Sequence, residues 1–176
     1  NLNGGTFTAP AGVINFRSSS LNRNAGTFNH NNGTIIFAGY SGPLGSSGNV
    51  SLNFDGALQG TQDFFNVTLN NTGGNDGVRL KSPDIINVHG DLNLTDGTLI
   101  SDGALPRATV GFERNITISS NWGTSDVKYL AFGNANQSYI NSGGTNPTGD
   151  VEINKPGGTL SLASDDELHS LIIRID

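Results

Sequence analysis

Two short units recur along this chain of 176 residues, and their recurrence limits the fold more than any other feature. In the first unit, a glycine and an asparagine or aspartate precede an aliphatic–polar–aliphatic triplet. In the second unit, Gly-Thr precedes a large apolar residue. Self-similarity of this kind is typical of solenoids and other repeat architectures. The first unit stands at 48–52, 90–94 and 149–153 and, without its glycine, at 114–118; the second stands at 5–7, 26–28, 33–35, 97–99 and 158–160.

The triplets alternate apolar and polar residues, and this period of two predicts short strands with one buried side. The units are not evenly spaced: Leu92 and Ile116 are closer in sequence than Ile116 and Val151. Uneven spacing excludes a tight hexapeptide solenoid and fits coils of roughly 20–25 residues joined by variable loops. The sequence therefore predicts an all-β parallel β-solenoid of roughly 7–8 irregular coils, forming a single domain over residues 1–176.

The last segment, 164–176, carries two patterns. A capping-box sequence at 164–167 and apolar residues at helical spacing indicate a capping helix. Alternation of Leu171, Ile173 and Ile175 indicates a strand instead. We favour the strand, because no other part of the chain shows a helical pattern.

Composition narrows the class of protein. Gly, Asn, Ser and Thr together make up 80 of the 176 residues, a bias that disordered chains also show. A net charge of only −6 and short patterned runs of strand-forming residues argue against disorder. The absence of cysteine excludes disulfides and cysteine-based zinc sites. The acidic balance argues against a nucleic-acid partner, and no apolar run has the length of a membrane-spanning helix.

Several longer stretches resemble repeat regions of giant bacterial cell-surface proteins, of the adhesin and autotransporter-passenger type. The resemblance implies a right-handed parallel β-helix, secretion, and a structural or adhesive role outside the cell. It is carried by residues 4–16, 25–37, 64–71 and 88–99 and is weakest around 42–48 and 104–113.

The sequence offers little enzyme chemistry. Carboxylates are scattered and mostly precede glycines, as turn aspartates do, so we expect no enzymatic activity and no cofactor. Asp165, Asp166 and Glu167 form the one acidic cluster, which we interpret as an exposed corner or cap, with a weak calcium site as the alternative. His30, His89 and His169 lack the spacing of metal ligands, so we expect surface positions for them.

The chain begins at an asparagine and ends in an apolar run, which favours a segment or repeat unit of a longer chain or fibre. We therefore predict a structural unit that extends by head-to-tail self-association or by contact with neighbouring repeats, with no membrane insertion. The residues predicted to stack end to end are Phe7, Val13, Ile14 and Phe16 at one end and Leu171, Ile173 and Ile175 at the other.

Two other functions fit the sequence. One is a β-helix that binds or cleaves carbohydrate, with Trp122 and Tyr129 as the residues contacting surface glycans. The other is an adhesion module with a β-sandwich fold, which would require antiparallel hairpins in place of parallel coils.

Overall fold

A computed structural model describes residues 1–38, 50–54, 60–71, 77–103, 105–164 and 167–174. Within these ranges the chain forms β-strands and no helix. The strands are, in chain order, β1 (Leu2–Thr8), β2 (Val13–Phe16), β3 (Ser20–Asn29), β4 (Thr34–Phe37), β5 (Val50–Phe54), β6 (Thr61–Phe64), β7 (Asn66–Asn70), β8 (Gly77–Lys81), β9 (Ile85–Val88), β10 (Leu92–Asp102), β11 (Thr109–Phe112), β12 (Ile116–Ser125), β13 (Lys128–Phe132), β14 (Gln137–Ser142), β15 (Val151–Asn154), β16 (Leu160–Leu162) and β17 (Leu171–Arg174).

The strands pair in parallel and stack in a β-solenoid of about 6 turns, which confirms the predicted fold class. Strands pair across coils rather than with their neighbours in sequence: β10 pairs with β7, β8 and β12. This arrangement removes the β-sandwich alternative. The handedness of the coil and a count of seven to eight coils stay predictions.

The solenoid has three faces. The first contains β2, β4, β7, the first halves of β10 and β12, and then β14 and β16. The second contains the first half of β3, then β5, β8 and the second halves of β10 and β12. The third is the six-stranded sheet of β6, β9, β11, β13, β15 and β17. The second half of β3 continues the third face beyond β6, because the ring of Phe28 packs against that of Phe64 at 5.3 Å.

The Gly-Thr units mark places where a strand turns from one face to the next. In β10, residues up to Asp96 pair with β7, and residues from Thr98 onward pair with β8. Gly97 lies between them with a φ of 103°, a conformation that glycine adopts without the steric cost of a Cβ. The Thr and the apolar residue after the glycine then begin the next face, which explains why the unit has this order.

Apolar side chains from all three faces meet inside the coils and form one core. Each strand contributes every second residue, as in β5, where Val50, Leu52 and Phe54 are buried and the residues between them are partly exposed. The last described segment contains strand β17, so the strand interpretation of 164–176 is confirmed over Leu171–Arg174. Ile175 lies outside the described residues.

Candidate functional site

A column of apolar side chains runs through the inside of the third face, with one residue from each strand of that face. Phe7 is in register with Phe28, and their rings stack at 5.6 Å. Phe28 packs on Phe64, from which the registers of successive strands continue to the C-terminal end. We call this the long column; it consists of Phe7, Phe28, Phe64, Val88, Phe112, Ala131, Ile153 and Ile173.

Burial along the long column is complete in the middle and incomplete at both ends. Val88, Phe112 and Ala131 in the middle are fully buried. Phe7 at one end is 48% exposed, and Ile173 at the other is 62% exposed. Both terminal residues point inward like the rest of the column, so they are core residues that lack a neighbour on one side. The predicted stacking residues Phe7 and Ile173 thus lie at opposite ends of one continuous contact.

The first face ends in the same way. Ile14 and Phe16 of β2 point inward, because their register partners Ile35 and Phe37 are buried, yet both are themselves partly exposed. At the other end of this face Leu162 is in register with buried Tyr139 and is 47% exposed. Leu162 was not among the residues predicted to stack end to end. Its place in a column with Ile116 and Tyr139 follows only from the strand register.

Two of the predicted end residues, Val13 and Leu171, face opposite sides of their strands. Val13 is exposed, but it alternates with inward-pointing Ile14 and therefore lies on the outer surface of the first face. Leu171 points inward, because its register partner Val151 is buried, and it is 49% exposed. The set that forms the open ends is therefore Phe7, Ile14 and Phe16 on one side and Leu162, Leu171 and Ile173 on the other.

The strands at both ends have one hydrogen-bonded neighbour each in the described parts of the chain. β1 pairs with β3 and β2 with β4, while β16 pairs with β14 and β17 with β15. The outer edges of these strands present backbone N–H and C=O groups, which template pairing with a further strand. Among the described residues, each end thus combines a strand edge that no second strand pairs with and exposed core residues.

Glu152 holds the last coil to the coils beneath it. Its carboxylate accepts a hydrogen bond from Lys128 Nζ at 3.0 Å and another from Arg174 Nε. Burial by itself raises the pKa of the Glu152 carboxyl, but the hydrogen bonds and charges of Arg174 and Lys128 outweigh it and hold that pKa below its usual range. The three side chains form a charged clamp across β13, β15 and β17.

Two histidines that are far apart in sequence meet at the corner after the third face. The rings of His30 and His89 lie 6.1 Å apart, and His30 also stacks on Phe65 at 5.9 Å. His89 Nδ1 lies 2.8 Å from Glu113 Oε2, and its Nε2 lies 3.7 Å from Asp63 Oδ1. Burial and the neighbouring charge of His89 lower the pKa of His30, against a smaller opposite effect of Asp63. Both histidines were predicted to be surface residues, and their half-buried contact has no signature in the sequence.

The three acidic residues predicted as a weak calcium site fall only partly within the described residues. Glu167 is exposed and accepts a hydrogen bond from Asn146 on its backbone carbonyl, whereas Asp165 and Asp166 are outside the described residues. In the part of the chain that the structure describes, no three His, Asp or Glu side chains are grouped as a metal site.

Trp122 and Tyr129 are buried in the core, which corrects their predicted role in contacting glycans, since neither ring has a surface on which a sugar could stack. The Trp122 indole N–H donates to Ser125 Oγ at 3.0 Å, inside the protein. Burial raises the pKa of Tyr129. A sequence cannot distinguish an aromatic residue in a loop from one that the next coil covers.

An open groove runs along the outside of the third face, with a volume of about 660 Å³. It crosses several coils, since its floor contains the register neighbours Ile85, Thr109 and Lys128. Leu105, Arg107 and Asp150 also line it. Leu105 is 80% exposed, and Arg107 forms an ion pair with Asp126 at 2.6 Å.

Comparison with protein-family models, with curated proteins and with solved structures finds no match for this chain. Among the described residues, no helix has the length and apolar character required to cross a bilayer.

Proposed function

We propose that this chain is a non-enzymatic structural unit of an extracellular bacterial fibre or giant surface adhesin, which extends by head-to-tail stacking of its β-helical coils. The burial of the long column carries the proposal: it is complete in the middle and lost at Phe7 and Ile173. Singly exposed apolar residues are common on protein surfaces, but these core residues are exposed together with an open strand edge at each end of the solenoid. A further coil at either end would bury them in the way that the inner coils bury Val88 and Phe112.

The mechanism is mechanical. A coil added at an end supplies hydrogen-bond partners for the free strand edge and an apolar layer for the exposed core, at the spacing of about 4.8 Å found between paired strands. Burying a large apolar side chain stabilises such a contact by roughly 1.5–3 kcal/mol. The added coil belongs either to a second copy of the chain or to a neighbouring repeat of the same chain. The bacterial and extracellular setting rests on the resemblance of the repeats to those of giant bacterial cell-surface proteins.

The proposal is tested by measuring self-association. Light scattering of the wild-type chain should show a mass that rises with concentration, and negative-stain micrographs should show filaments. Phe7→Asp and Ile173→Asp place a charge at the seam and should keep the chain monomeric. Leu105→Asp is the matched control, because it changes an equally large exposed apolar residue away from both ends. A wild-type chain that stays monomeric at millimolar concentration would refute stacking between separate copies.

A second candidate function is carbohydrate binding, and the groove on the third face favours it. The groove is open and spans several coils, as an extended polymer requires, and its lining combines apolar Leu105 and Ile85 with hydrogen-bonding Thr109, Lys128 and Asp150. Polar groups spaced among apolar surface are the usual composition of small-molecule sites. No step of carbohydrate cleavage follows from this lining.

Binding to a glycan array tests the second candidate. Leu105→Asp and Lys128→Ala should abolish binding if the groove holds the glycan, whereas Phe7→Asp should leave it unchanged. The same variants therefore separate the two functions, since stacking depends on Phe7 and not on Leu105. A wild-type chain that binds no glycan would refute the second candidate.

A further inference from the structure

The outer edges of β1 and β17 belong to the same face of the solenoid. β17 is the last strand of the six-stranded sheet, and β6 is at the opposite end of that sheet. Beyond β6 lies the second half of β3, held by the contact of Phe28 with Phe64 and by a hydrogen bond from Arg23 Nη2 to the Thr61 carbonyl at 2.7 Å. β1 pairs with this part of β3. β17 and β1 therefore lie at the two ends of this face, in which side-chain contacts rather than a strand pairing connect β3 to β6 in the described part of the chain.

A second inward column lies beside the long column. Its C-terminal end is Leu171, which follows Val151 and Tyr129 in register and is 49% exposed. At the N-terminal end, two residues before Phe7, lies Gly5, the bend glycine of the first Gly-Thr unit, with a φ of 70°. A Cβ placed on Gly5 would have no atom within 4 Å. The solenoid thus has a protruding leucine at one end and an open space beside Phe7 at the other.

Resting on the stacking function proposed above, we propose that β17 of one copy pairs in parallel with β1 of the next, in the register that sets Ile173 beside Phe7. This register continues the long column without interruption. It also brings Leu171 over Gly5, so that the protruding side chain fills the open space. Counting along both strands then sets Ile172 beside Thr6 and Arg174 beside Thr8.

The charges at this seam are compatible with the register. β1 contains no charged side chain. Arg174 is bound to Glu152 within its own copy, so it meets the neutral Thr8 as part of an ion pair. Like charges directly opposite each other on paired strands would be unfavourable, and the register brings none together.

The absence of cysteine from the chain permits a direct test by disulfide formation. Thr6 and Ile172 point outward, because they alternate with inward-pointing Phe7 and Ile173. In the proposed register their Cα atoms would be about 4.8 Å apart across the seam. A disulfide requires a Cα separation of roughly 4.4–6.8 Å. The double variant Thr6→Cys/Ile172→Cys should therefore form a ladder of covalent oligomers on a non-reducing gel, which collapses to monomer with reductant.

The matched control moves one cysteine along the same side of the same strand. In Thr8→Cys/Ile172→Cys the two Cα atoms would be about 8 Å apart in the proposed register, beyond the reach of a disulfide. This variant should give no ladder. Each single variant should also give no covalent dimer, because head-to-tail contacts never bring two copies of the same residue together.

The outcomes separate the register from the stacking function. A ladder from the Thr8 variant, or dimers from a single variant, would overturn the register while leaving self-association in place. The register would also be overturned if light scattering shows filaments of the wild-type chain but the Thr6→Cys/Ile172→Cys variant gives no ladder. A wild-type chain that remains monomeric would overturn the stacking function, and the register with it.

Discussion

The side-chain Oδ1 of Asn66 accepts a hydrogen bond from the backbone N–H of Asp91 in the next coil, at 2.9 Å. Asp91 Oδ1 accepts in turn from the N–H of Asn115 at 3.2 Å, and Asn115 Oδ1 accepts from the N–H of Ser138 at 3.0 Å. Asp91 and Asn115 occupy the second position of the first repeat unit, and Asn66 directly precedes Val67 of β7 in the same way. At these three positions a short side-chain acceptor reaches a backbone N–H one coil further along the solenoid.

Asn115→Ala should destabilise the chain by about 1–3 kcal/mol, because it removes the acceptor of the Ser138 N–H and the bond from Asn115 Nδ2 to Asp91. Unfolding in urea, followed by circular dichroism, measures the change. Asn121→Ala is the control, since Asn121 is an exposed asparagine of β12, the strand that follows Asn115. Equal stability of the two variants would contradict a structural role for the asparagine series.

Gly26→Ala should destabilise the chain by more than about 2 kcal/mol. Gly26 has a φ of 84°, and a Cβ there would lie 2.6 Å from the carbonyl oxygen of Gly5 in the first coil. The strained backbone alone costs roughly 1–2 kcal/mol for a residue with a side chain, and the contact with backbone adds to it. Gly12→Ala is the matched control, because a Cβ at Gly12 meets no atom within 4 Å. Thermal unfolding of both variants should show a lower Tm for Gly26→Ala only.

Glu152 should make stability depend on acidic pH. Because its folded pKa lies below its unfolded value, the clamp contributes fully above the unfolded pKa of about 4.3 and is lost as pH falls through the folded pKa. Glu152→Gln should therefore be less stable than wild type by about 1–2 kcal/mol at pH 7. The difference should shrink as urea unfolding is repeated toward pH 3.

Glu167→Gln is the control for this measurement, since Glu167 is exposed. A difference between wild type and Glu152→Gln that stays constant from pH 7 to pH 3 would contradict the charged clamp.

His30 should also make stability fall as pH falls, but at milder pH than Glu152. Its folded pKa is lowered, so above about pH 6.5 it is neutral in both states and has no effect through titration. Below that pH the unfolded chain binds a proton more readily than the folded chain, and stability falls. His30→Gln should lose less stability than wild type between pH 7 and pH 5, measured by urea unfolding.

His169→Gln changes an exposed histidine of the last coil and should follow the wild-type pH dependence. If His30→Gln also shows the wild-type dependence of stability on pH, the titration of His30 is not the cause of that dependence.

Sequence periodicity was sufficient for the solenoid, because it depends on residues close together in the chain. The alternation at Leu92 and Leu94 predicts a strand, whereas the bend at Gly97 is seen only in the pairing of β10 with β7 and β8. The Thr109–Phe112 strand was not predicted, since buried Thr109 and Gly111 interrupt the alternation. The pair of His30 and His89 and the burial of Trp122 were also beyond prediction. Both depend on how many residues each coil contains, and variable loops hide that number.

The incomplete burial at the two ends of the long column determines how the stability of the proposed assembly depends on its length. The exposed surface at the two ends is the same whether a few coils or many lie between them, so the unfavourable contribution of the ends does not grow with length. Stability per coil therefore rises with length toward a limit, as in a one-dimensional array of interacting units. Nothing in such a column selects a particular length, so the length of the proposed fibre would be set by how many units are supplied or by a coil with a polar outer surface that stops growth.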